Sequence, residues 1–99
     1  MMYDPGALET ALAAAVGSDP ALVAELRTVF LASARGHADA LDRASGAAEW
    51  RIAALRLQGL AASFAAVDLM ALAERAATGT PSDPTVVAAI NRSIDSFVL

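Results

Sequence analysis

The chain contains no cysteine, a single histidine and only 5% aromatic residues. Without cysteine there is neither a disulfide framework nor a thiolate metal site, and one histidine is too few for a zinc cluster. The shortage of aromatics argues against a sheet-rich fold. Glycine and proline number six and four and gather at segment ends. Basic residues are outnumbered, seven against eleven acidic ones, for a net charge of −4. That balance disfavours nucleic acid, which is bound by neutralising its phosphates, but leaves protein partners open. A basic leader is also lacking: MMYDPGALE reaches an acidic residue at once and does not read as a signal peptide. The longest uncharged run, Leu57 to Val67, is too short to span a bilayer and includes Gln58 and Ser63. The expectation is a cytoplasmic protein without membrane contact, metal or cofactor.

What is abundant is alanine. It supplies much of the 57% hydrophobic content and the mean hydropathy of +0.50, and as the best helix former it points to helices instead of a bulky core. Ninety-nine residues suffice for one domain, residues 1–99. Three Asp-Pro pairs, Asp4-Pro5, Asp19-Pro20 and Asp83-Pro84, each read as a helix start, with Asp as N-cap and Pro in the first turn. Gly17 and Gly46 fall where preceding helices should stop, and Thr78 to Ser82 reads as a loop. The predicted helices run from about Pro5 to Val16, Pro20 to Ala44, Ala48 to Phe64, Asp68 to Ala77 and Pro84 to Val98. Short connections favour antiparallel neighbours. The expected fold is therefore all-α, an up-down antiparallel four-helix bundle with a short N-terminal capping helix.

Helical periodicity assigns the inward faces. In the long helix Leu22, Leu26, Val29, Phe30, Ser33, His37, Leu41 and Ala44 share a stripe. Leu69, Leu72, Ala73 and Ala76 serve the fourth predicted helix, and Val87, Ile90, Ile94, Phe97 and Val98 the fifth.

The stretch RIAALRLQGLAASFAA, Arg51 to Ala66, is different, because it is apolar on two sides. Trp50, Ala53, Ala54, Leu57, Leu60, Ala61 and Phe64 form the core face. Ile52, Leu55, Gly59 and Ala62 lie roughly opposite, flanked by Arg51 and Gln58 on one side and by Arg56 and Ser63 on the other. A glycine inside a helix costs about 1 kcal/mol relative to alanine, and close approach of another backbone is a common reason for one. Scattered surface apolars, or cover from the amino-terminal helix or the chain's own tail, are the plain alternatives. The functional reading is a contact stripe rimmed by two arginines.

Two stretches, DPALVAELRTVFLAS and AEWRIAALRLQGLAASFAAVDLMALAERA, resemble the histidine-containing phosphotransfer (Hpt) domain of bacterial phosphorelays. The likeness extends from the GSDP helix start to the last helix. Leu57, Phe64, Leu69 and Leu72 fit the family's core positions, and Gly59 matches its glycine. The resemblance implies a helical bundle and, as partner, a response-regulator receiver domain or a histidine-kinase component. It also places the family's phospho-accepting histidine at Leu55 and its lysine at Gln58. Phosphotransfer needs an exposed nucleophilic imidazole, and leucine offers no nucleophile. A neutral amide replaces the lysine's electrostatic hold on a phosphoryl group only weakly.

The one other acceptor to weigh is His37, and phosphotransfer through it is a third reading. His37 sits on the apolar stripe between Phe30 and Leu41, which reads as a half-buried structural histidine pointing into the bundle with blocked access. Asp39 and Asp42 lie on an outer face and Glu74 pairs within its own helix, as solvated surface charges do. The expectation is a non-enzymatic, Hpt-like signalling module. Its partner-binding residues would be Arg51, Ile52, Leu55, Arg56, Gln58, Gly59 and Ala62. The alternative is a self-associating protein that uses the same stripe as a homodimer seam.

Overall fold

The computed structural model describes residues 10, 12–14, 17 and 19–97. Four helices have defined ends: α1 (Pro20–Asp42), α2 (Ala47–Ser63), α3 (Val67–Thr78) and α4 (Pro84–Asp95). Residues 10 and 12–14 are helical as well, and Leu12 is buried in the common core. No strand occurs among the described residues, so the protein is all-α. The Asp4-Pro5 start, the remainder of the amino-terminal helix and Val98 lie outside the described residues.

Two of the three Asp-Pro pairs are seen at work. The carboxylate of Asp19 accepts from the backbone N–H of Ala21 at 2.9 Å, and Asp83 accepts from the N–H and hydroxyl of Thr85 at 2.9 and 2.7 Å. Each satisfies an N–H that the first turn of a helix leaves without a partner, and the proline behind it lacks that donor altogether. Gly17 has φ of +78°, the left-handed conformation that glycine adopts without strain. Gly46 does not stop α1, which ends at Asp42. It is instead the residue that opens α2.

Chain neighbours pack on one another, and α4 closes the circuit against α1. At the centre Phe30 of α1 meets Phe64 and Phe97, which follow the ends of α2 and α4, with ring centroids 5.0 and 5.2 Å apart. Tilted and edge-on contacts at such distances suit the aromatic quadrupole. Trp50, in the first turn of α2, is 1% exposed, and its indole N–H donates to the carbonyl of Ala76 in the last turn of α3 at 2.7 Å. That carbonyl is among those a helix end leaves unbonded, so a core side chain serves as its cap.

The core face of α2 matches its periodicity, with Trp50, Ala53, Ala54, Leu57 and Ala61 buried and Leu60 and Phe64 partly so. Leu69, Ala73 and Ala76 of α3 and Val86, Ile90, Ile94 and Phe97 at α4 complete it, with Leu72 and Val87 partly buried. In α1 the expectation needs correcting. Val23, Phe30, Ala34, Ala38 and Leu41 are buried, whereas Leu22 and Val29 are 44% and 57% exposed. The true seam runs through Ala34 and Ala38, whose small side chains let neighbouring helices approach closely. Phe30 and Leu41 of the expected stripe are in the core, but Val23, Ala34 and Ala38 hold the places given to their predecessors Leu22, Ser33 and His37.

Candidate functional site

The exposed side of α2 begins with how the helix is held. Gly46 has no side chain to cap with, so Glu49 reaches back and its Oε2 accepts from the N–H of Ser45 at 3.0 Å. The contact is like the returning half of a capping box, but it reaches the residue before the N-cap. The bonds from Ser45 hold the Glu49 carboxyl below its ordinary pKa. At the other end the N–H of Ala66 bonds the carbonyl of Ala61 at 2.9 Å and that of Ala65 bonds Ala62 at 3.2 Å. That is a Schellman ending, with Ala65 in the left-handed position at φ of +55°.

Between those ends the sequence-identified residues do share one side. Ile52 and Leu55 are 49% and 45% exposed, two of the five large apolar side chains exposed among the described residues. Arg51, Arg56, Gly59 and Ala62 are exposed around them, while Gln58 is half-buried. Neither arginine is ion-paired with another described residue. Ser63 turns inward on its own helix, its Oγ donating to the carbonyl of Gly59 at 3.0 Å. An added Cβ at Gly59 would meet nothing within 4 Å, so internal packing does not require this glycine.

His37 differs from expectation in one respect. It is half-buried, but its side chain is not enclosed by the bundle: it lines an open cleft between α1 and α2, together with Ala40, Glu49, Ile52, Ala53 and Arg56. Its neighbours are therefore the edge of the α2 stripe, and the wheel could not show this without knowing which helix lies beside α1. Asp39 is on the outer side and pairs with Arg43 at 2.7 Å. Glu74 is exposed without an ion pair to another described residue, because no arginine or lysine stands one turn away to meet it.

No group of three or more histidine, aspartate or glutamate side chains among the described residues could hold a metal ion. No helix among them is long and apolar enough to cross a membrane. A second concavity, between α3 and α4, carries Arg75 and Arg92; sequence reading overlooked it. Its signal was present as i, i+3, i+4, i+7 spacing, Asp68, Ala71, Leu72 and Arg75 on one helix and Ala89, Arg92, Ser93 and Ser96 on the other.

Compared with family models, with curated proteins and with solved structures, the chain matches none.

Proposed function

We propose that the protein is an Hpt-like helical module, an up-down bundle of α1–α4 capped by its amino-terminal segment, that docks a partner on the exposed face of α2 and carries no phosphate. The observation that bears most weight is the joint exposure of Ile52 and Leu55, at 49% and 45%, beside two arginines that form no ion pair with another described residue. Apolar centres with an arginine rim are how interfaces are commonly built. The resemblance supplies the partner class, a receiver domain or a histidine-kinase component, and Leu55 in the acceptor position is why no phosphoryl group would transfer.

Charge favours an acidic partner over a second copy. With Arg51, Arg56 and Glu49, α2 carries one net positive charge in a chain of −4. A twofold seam centred on Leu55 would set Arg56 beside its own copy, and the stripe itself holds no acidic side chain to offset it.

The test is titration of the protein against the receiver domains of its host, read by calorimetry, with Leu55→Asp alongside. Binding that weakens at least tenfold in the variant is expected. Binding to no receiver, or binding unchanged by Leu55→Asp, rejects the proposal. Radiolabel passing from a phosphorylated receiver to this protein would reject the non-carrier role, and a dimer at micromolar concentration that Leu55→Asp dissociates would favour the seam.

A further inference from the structure

The groove between α3 and α4 combines three features that no part of the preceding reading uses. It is a concavity of about 470 Å³, within the range of small-molecule sites. Its floor is apolar, formed by Ala71 and Leu72 from α3 and Ala89 from α4. Its walls carry one arginine each, Arg75 and Arg92, and both side chains are exposed with no salt bridge to a described residue.

The third feature is Ser93. Its hydroxyl is the only buried side-chain N or O among the described residues without a hydrogen-bond partner. Buried polar groups are nearly always satisfied, so an orphan invites an explanation. Serines within helices usually return their hydroxyl to the carbonyl one turn back, as Ser63 does here. Ser93 does not, and it lines the groove beside Arg92.

Other charges give the groove a direction. Asp68 lies along the same wall of α3 as Arg75, two turns earlier and so about 10 Å away along the helix. It repels an anion from its end. Arg75 also feels the Asp83 carboxylate, whose pKa is lowered first by the Thr85 hydroxyl, then by the Thr85 N–H and least by Arg75. Arg92 stands one turn from Asp95, but that carboxylate is engaged by Arg35 at 3.0 Å, which leaves Arg92 available to an anion.

We propose that this groove is a binding site for a small amphiphilic carboxylate, a medium-chain fatty acid in chemical class. Arg92 and Arg75 hold the carboxylate, the buried Ser93 hydroxyl turns outward about χ1 to donate to it, and the acyl chain lies over Ala71, Leu72 and Ala89. Arginine's forked donors match the two carboxylate oxygens. An apolar floor without charged neighbours would suit a neutral lipid equally, and the paired arginines are what select an anion. The site shares no residue with the α2 stripe and does not depend on the docking proposal.

The test uses the full chain, labelled with nitrogen-15 and titrated with decanoate below its micelle concentration. Saturable shifts at the amides of Ala71, Leu72, Ala89 and Ser93 are expected. Arg75→Glu/Arg92→Glu, two changes at exposed positions, should weaken binding at least tenfold, as should Ala89→Phe, which fills the groove without altering charge. Decanol should bind at least tenfold more weakly than decanoate. No saturation at millimolar decanoate, shifts confined to α1 and α2, or equal affinity for decanol would each overturn the proposal. So would undiminished binding by either variant.

Discussion

Two backbone positions at the ends of α2 and α3 hold opposite requirements. Ala65 occupies the left-handed slot of a Schellman ending, where an L-residue with a Cβ is strained by about 1–2 kcal/mol. Ala65→Gly removes that contact and should stabilise the protein by about 1 kcal/mol, less whatever glycine's added freedom in the unfolded chain subtracts. Gly79 has an ordinary negative φ, yet a Cβ there would sit 2.7 Å from the carbonyl oxygen of Arg75. Gly79→Ala should therefore destabilise by about 1–3 kcal/mol, the usual range for forced overpacking. Chemical denaturation of the two variants beside the parent checks both signs at once. From sequence alone the roles of these two residues are reversed, since a helix-stopping glycine is expected in the left-handed position and the alanine is not.

At the scale of elements, helix starts were legible and side-chain directions less so. The Asp-Pro pairs at residues 19–20 and 83–84 place two helix beginnings to the residue, because the capping chemistry is local. The inward face of α2 was equally readable, its large and small core residues agreeing on one direction. That of α1 was not: Ala34 and Ala38 mark the seam only once a neighbouring helix is known to lie against them. The exposed α2 stripe was visible as a surplus of apolar residues, while the α3–α4 groove was hidden because it is assembled from two segments.

Capping also makes stability depend on pH. Glu49 is held below its ordinary pKa by the bonds from Ser45, and Asp83 chiefly by the hydroxyl and N–H of Thr85. A carboxylate whose pKa is lower folded than unfolded favours the folded state above the unfolded pKa, near 4. That contribution disappears as acid titrates the folded form. Thermal midpoints should fall as pH drops from about 5 toward 3, and Glu49→Gln with Asp83→Asn should flatten the decline, since both amides still accept hydrogen bonds but do not titrate.

For the molecule as a whole, the proposed docking would divide α2 between holding the fold and meeting a partner. Gly59 makes the division measurable. With open space around it, Gly59→Ala should raise unfolding stability by up to about 1 kcal/mol through helix propensity. If a partner seats its backbone against that turn, the same methyl should weaken docking. A variant more stable in denaturant yet poorer in the receiver titration is the expected pair of outcomes, and equal binding would move the contact away from Gly59.

The only tryptophan lies on the opposite side of that helix, enclosed and bonded to the last turn of α3. It is thus a natural fluorophore for the junction of α2 with α3, in a chain whose only tyrosine is Tyr3. Its emission should shift to the red when that junction opens and stay nearly still when something settles on the outside. One intrinsic signal can therefore separate a ligand that merely coats the helix from one that pries it loose.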